Sequence, residues 1–133
     1  MTTTIPESLR PLLTAKAVAF VSTIGPHGEP QTTPLWFLWR EDAVHISLVE
    51  GRQKLRNLRR DPRISVVIVD PAEPTRYLEL RGRVDTLVPD PDRALERDIA
   101  IKYTGKDVDI EPPGTMRHAT RILVERITKQ EGI

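Results

Sequence analysis

From Gly51 to Pro62 the chain reads Gly-Arg-Gln-Lys-Leu-Arg-Asn-Leu-Arg-Arg-Asp-Pro, a short basic segment with helical spacing. On a wheel of about 100° per residue, Leu55 and Leu58 fall together as a buried stripe. Lys54 and Asn57 flank that stripe, and Arg52, Arg56, Arg59 and Arg60 take the opposite face. A helix N-terminus carries partial positive charge and free N–H groups, so acids are favoured in its first turn. Here that turn holds Arg52 and Lys54, an adverse arrangement unless an anion docks against it. A phosphate or carboxylate would turn it into a binding site to which Arg52, Lys54 and Asn57 contribute. The same spacing also describes a solvated basic face, which is what most charge runs are. A nucleic-acid-contacting helix is disfavoured, because no aromatic residues interleave the cations.

Other chemistry-bearing residues are dispersed. His27, His45 and His118 have no pairwise ligand spacing, so the sequence offers no metal site. His45 alternates with apolar neighbours and is expected half-buried and hydrogen-bonded. Ser22, Ser47 and Ser65 lie in strand-like runs without a Gly-x-Ser-x-Gly elbow, which argues against acyl transfer. Asp107, Asp109 and Glu111 do not match a calcium loop. No nucleophile, base and orienting group recur together, so an enzyme built on this chain takes its chemistry from a cofactor.

The elements that must position the basic segment are mostly strands. An N-terminal helix is expected over 4–13, with Thr4 as cap. Strands are expected over 17–24, 31–39, 43–49, 64–69, 77–88 and 121–127. Pro34 marks the second strand as an edge, a bulge or a place where the ladder is open. In the fifth, Leu78, Leu80, Gly82, Val84 and Thr86 share one side, and Gly82 signals a bulge or a barrel corner. A second helix runs from Asp90-Pro91 to about Tyr103, with Leu95 and Ile99 inward. Residues 104–115 form an acidic, proline-rich loop, and the tail after Thr128 reads as polar and frayed. Six strands in meander order with marginal helices predict an all-β, six-stranded antiparallel barrel in a single domain over 1–133.

Composition sets outer limits. With 20 Lys and Arg against 19 Asp and Glu, the chain has no global attraction to nucleic acid or membrane. The absence of cysteine excludes disulfides, thiolate nucleophiles and Cys-based zinc sites. Neither a signal peptide nor an apolar run of bilayer-spanning length is read in the sequence, so a soluble cytoplasmic protein is expected. Two Trp, two Tyr and two Phe are few enough that each weighs heavily in any core or pocket.

Three stretches carry a resemblance over nearly the whole chain: Gly28-Glu29-Pro30-Gln31-Thr32-Thr33-Pro34-Leu35-Trp36-Phe37, then Arg52-x-Lys54-x-Arg56-Asn57-Leu58-x-x-Asp61-Pro62-Arg63, then Tyr77-Leu78-Glu79-Leu80-Arg81-Gly82. The chain resembles the split β-barrel family of pyridoxamine 5′-phosphate oxidase-like, FMN-binding flavoproteins. It looks most like the actinobacterial branch that uses the deazaflavin coenzyme F-420. The resemblance implies a homodimer with cofactor sites at the subunit junction. It implies that Arg52 and Lys54, with Asn57 nearby, hold the cofactor phosphate. It sets Thr32, Thr33, Pro34 and Trp36 against the ring system and makes Ser47 a hydrogen-bond donor to the cofactor. The implied activity is hydride transfer to an electron-poor small organic acceptor, with no protein acid or base assigned. An FMN-dependent oxidase or reductase, and a non-catalytic flavin or deazaflavin binder, are the alternative expectations.

Overall fold

In the computed structural model, which describes residues 4–133, the alternating stretches form seven strands. They are β1 (Ala19–Ile24), β2 (Pro30–Leu35), β3 (Leu38–Arg40), β4 (Ala43–Val49), β5 (Arg63–Val69), β6 (Arg76–Pro89) and β7 (Arg117–Glu131). Helix α1 (Pro11–Thr14) precedes β1, α2 (Gln53–Arg60) lies between β4 and β5, and α3 (Ala94–Thr104) between β6 and β7. Every strand pair is antiparallel, and the sheet order is β2-β1-β5-β6-β7-β4-β3. The two edge strands, β2 and β3, are consecutive in the chain and joined by Trp36 and Phe37 alone. So short a link forces the sheet to curl until its edges meet, which makes it a split barrel. Val21, Ile46, Leu48, Val66, Leu80 and Ile122 fill its interior, and Leu55 and Leu58 of α2 join the same core.

The antiparallel barrel architecture matches the sequence expectation, but the meander order does not hold: β1 pairs with β5 and β4 with β7, because closing the barrel brings non-consecutive strands side by side. Its strand count rises from six to seven because the second run divides at Trp36-Phe37, where the backbone leaves the ladder. The N-terminal helix is interrupted rather than continuous. Pro6 is extended (φ −57°, ψ 137°), a 3-10 turn follows over Glu7–Leu9, and Pro11 opens α1 because it lacks the N–H that would continue the preceding turn. Helix α3 starts at Ala94, since Arg93 is left-handed (φ 59°). The Asp90 carboxylate still takes the Ala94 and Leu95 N–H groups, both at 2.9 Å. The tail expected to fray is paired instead: β7 runs to Glu131, opposite Arg76, and Thr128 Oγ1 donates to Glu79 at 2.7 Å.

Strand β6 carries two register shifts against β7, between Arg81 and Gly82 and between Val84 and Thr86. The second leaves Asp85 as an extra residue, which flips the alternation. Leu87 therefore packs on the core in place of Thr86, which is exposed. At the first shift the strands approach so closely that a Cβ on Gly82 would strike the Leu123 carbonyl oxygen. Among the described residues, no helix is long and apolar enough to cross a membrane.

Gly82→Ala is expected to lower stability by roughly 1–3 kcal/mol, the range for forcing atoms into packed structure. Urea unfolding reads this as a lower midpoint at unchanged slope. An unchanged midpoint would mean that β7 can give way at Leu123.

Candidate functional site

Strand β4 buries Ile46 and Leu48 in the barrel, so Ser47 and Val49 face outward. Gly51 then turns the chain in the left-handed region (φ 89°), a conformation that favours glycine. Arg52 follows in extended geometry as the N-cap of α2, with no side-chain capping bond and no acid in the first turn. This places Ser47, Arg52 and Lys54 on one wall of a cavity of ≈ 350 Å³. The end of β2 supplies Pro34, Leu35 and Trp36, α3 supplies Glu96 and Ile99, and the acidic loop supplies Ile110 and Glu111. The volume is at the lower end of the roughly 300–1,000 Å³ of small-molecule sites.

The cationic corner is electrostatically uncomfortable. Lys54 is half-buried, and burial first, then the Arg52 charge, hold its pKa below the usual lysine range, while Glu111 pulls the other way. Among the described residues, the Arg52 and Lys54 side chains and the Ser47 hydroxyl form no hydrogen bond or close ion pair. Two such cations at a helix start suit an anionic oxygen ligand.

Of the eight residues singled out by the sequence, Pro34, Trp36, Ser47, Arg52 and Lys54 come together on this cavity. Asn57 does not face the groove as the wheel suggests. It is fully buried, and its amide donates to Thr23 Oγ1 at 3.0 Å and Gln31 Oε1 at 3.4 Å. Its own Oδ1 accepts from Gln53 Nε2 at 2.6 Å. A wheel describes a helix on a flat surface, whereas α2 packs against β1 and takes its flank into the interior. Asn57 thereby fixes the helix that carries Lys54. Thr32 and Thr33 also lie off the cavity lining: Thr32 is exposed, with Oγ1 2.7 Å from Ser22 Oγ, and the Thr33 hydroxyl is buried without a partner among the described residues. His45 is half-buried with Nε2 3.1 Å from the Arg40 carbonyl, as its alternation implied.

The wheel and motif reasoning missed α3 and the loop. Glu96 is 1% exposed and joins Arg93 Nε at 2.7 Å, Arg117 Nε, and the Glu111 N–H at 3.3 Å. Burial pushes its carboxyl up, but bonds from Arg93 and Arg117 prevail and hold it below the usual range. Arg93 also grips Asp107 at 3.2 Å and Asp109 at 3.1 Å, and Arg117 donates to the Glu111 and Pro112 carbonyls. The acidic loop is therefore a fixed wall carrying Ile110 and Glu111. One signal was legible: Leu95, Glu96, Ile99, Ala100 and Tyr103 form one helical stripe, and a carboxylate on such a stripe requires a buried partner.

The sequence profile of the pyridoxamine 5′-phosphate oxidase family matches residues 5–131. A solved structure described as an F-420 reductase is 31% identical over 95% of this chain and 100% of its own, with a TM-score of 0.87. A conserved hypothetical protein from Mycobacterium tuberculosis is 23% identical over 96% of this chain and 85% of its own, with a TM-score of 0.77. General Stress Protein 26 from Bacillus anthracis str. Sterne is 12% identical over 96% and 94%, with a TM-score of 0.69. The last two likenesses are of fold alone.

Behind the cavity, burial pushes the Lys102 ammonium down to about 8 from 10.5. Between those values the unfolded chain binds more protons than the folded one, so this group makes stability rise with pH across that window. Lys102→Met is expected to remove that rise, read from urea unfolding above and below pH 8. The same rise in the variant would assign it to another group.

Proposed function

The chain belongs to the pyridoxamine 5′-phosphate oxidase family of flavin- and deazaflavin-linked oxidoreductases, and from that premise we propose that it is a coenzyme F-420-dependent reductase of small, electron-poor organic acceptors. The observation that carries the reading is the joining of Arg52 and Lys54, at an acid-free helix start, to Pro34 and Trp36 in one cavity. The F-420 reductase that the chain resembles supports the choice of deazaflavin.

In this reading Arg52 and Lys54 bind the cofactor phosphate, helped by the N–H groups opening α2. An anion there relieves the repulsion that Lys54 feels from Arg52. Ser47 donates a hydrogen bond, and Pro34 and Trp36 flank the ring. Thr32 and Thr33 belong to β2, the strand beside the ring, and Asn57 serves by anchoring α2. When bound, the reduced deazaflavin supplies the hydride. Ile99 and Trp36 exclude water from the ring end, and the nearby cations stabilise negative charge that develops on an acceptor. No side chain is assigned as acid or base.

We also propose that the protein is a cytoplasmic homodimer and that residues 1–133 act as one domain. Support for the dimer comes from the outer face of β1, where Phe20 is 41% exposed, opposite Pro34 on β2 and Val67 on β5, with Val18 38% exposed nearby.

Fluorescence titration with coenzyme F-420 and FMN side by side tests the cofactor. Tighter binding of F-420 is expected; a preference for FMN, or a yellow protein as purified, would replace the reading with an FMN enzyme. Lys54→Ala is expected to weaken F-420 binding by roughly 1.5–3 kcal/mol, the range for hydrogen bonds to charged groups. Arg59→Ala should change little, because Arg59 is held by Glu50 at 3.1 Å and lies off the cavity. Equal losses in the two variants would mean that the basic face acts as a whole. Phe20→Arg should convert dimer to monomer in sedimentation velocity, and a monomeric parent protein would sink the dimer.

A further inference from the structure

Trp36 sits on a link that the ladder does not hold, yet its indole is firmly placed. Tyr103 of α3 stacks on it with ring centroids 4.6 Å apart and planes 4° from parallel. Tyr103 is buried and does not line the cavity, so it backs the indole from behind. The Tyr103 hydroxyl is fixed in turn, donating to the Ala17 carbonyl at 2.6 Å and accepting the Phe37 N–H at 3.3 Å. Lys102 completes the brace: its ammonium donates to the Phe37 carbonyl at 2.9 Å and lies 3.7 Å from the Phe37 ring centroid. Both backbone groups of Phe37, the residue after Trp36, are therefore held by two consecutive residues of α3.

We propose that Tyr103 and Lys102 are positioning residues that preset Trp36 as a rigid apolar face of the cavity, against which a flat ring docks. The inference rests on the functional reading above for the identity of the ring, but not for the brace itself. A side chain on a two-residue link has several rotamers open to it, and each must be given up if ligand binding is to select one. The stack and the two backbone bonds impose that selection during folding, so the ordering cost is absent when a ligand arrives. The face so fixed is uncharged and continues into Ile99. The ligand class is thus a planar, uncharged ring system carrying an anionic group that reaches Arg52 and Lys54. The contribution of Tyr103 and Lys102 falls on the ring end alone.

The test uses the full chain with Trp39→Phe, leaving Trp36 as the single tryptophan. Time-resolved anisotropy of Trp36 is measured without ligand in that parent and in Tyr103→Leu, Tyr103→Phe, Lys102→Met and Lys102→Arg, each first checked for native circular dichroism. Tyr103→Leu and Lys102→Met are expected to free the indole and to raise the Kd of coenzyme F-420 about tenfold, the scale of one aromatic pair. Inhibition of that binding by inorganic phosphate, which reports on Arg52 and Lys54, should stay unchanged. Lys102→Arg should restore both the anisotropy and the Kd. Tyr103→Phe keeps the stacked ring and should stay nearer the parent than Tyr103→Leu; unchanged anisotropy in folded Tyr103→Leu and Lys102→Met would overturn the proposal, as would a freed indole with undiminished F-420 affinity. Should the parent bind neither F-420 nor FMN, the functional reading fails, and the anisotropy series alone decides the brace.

Discussion

A barrel whose two edges are joined by two residues must solve a hydrogen-bonding problem at the join. Phe37 is fully buried there, and neither edge strand can receive its N–H or its carbonyl. A buried, unpaired backbone group costs about as much as a lost hydrogen bond or more. Helix α3 supplies both partners through the Tyr103 hydroxyl and the Lys102 ammonium. Sheet closure, the seat of α3 and the direction of Trp36 are thus three outcomes of one requirement. A change that frees Phe37 would be felt at the cavity before it was felt in the core.

The two longer helices meet the same N-terminal problem in opposite ways. In α3 a carboxylate from Asp90 takes two amide protons, and the buried Glu96 next to it is neutralised by Arg93 and Arg117. That end is electrostatically complete and serves as structure. In α2 the cap is Arg52, no side chain accepts from the first turn, and the next cation is Lys54. Stability alone would place an acid here, at a gain of a few tenths to 1 kcal/mol. Retaining cations at an end that opens into a cavity is the pattern expected of a site that trades local stability for an anion.

Much of this was legible in the sequence because most strands bury alternate residues, and a period of two survives without knowledge of partners. β4 was readable to its last residue, and the basic helix to within one. What escaped reading depends on contacts across the chain. The Asp85 bulge is invisible in β6 alone, since it exists only against β7. Asn57 looked like a surface residue because a wheel knows the helix but not the depth of the groove it lies in. Residues 129–131 looked frayed because their polarity outweighed the pairing that Leu78, Tyr77 and Arg76 provide. The cavity was half legible: the corner made by neighbours in sequence was found, and the wall brought by α3 and its loop, some 40 to 75 residues further along, was not.

Charge along the cavity gives it a direction. Glu96 contributes no free negative charge, because two guanidinium groups hold it. Glu111 remains as the acid that tempers Lys54, set against two cations. The corner of Arg52 and Lys54 is therefore net positive, and the face made by Trp36 and Ile99 is apolar. A ligand with its charge at one end and a neutral ring at the other satisfies both, whereas one charged throughout would bury part of its charge against isoleucine and indole at a cost of several kcal/mol. Orientation in this site is then fixed by polarity before any specific hydrogen bond is made.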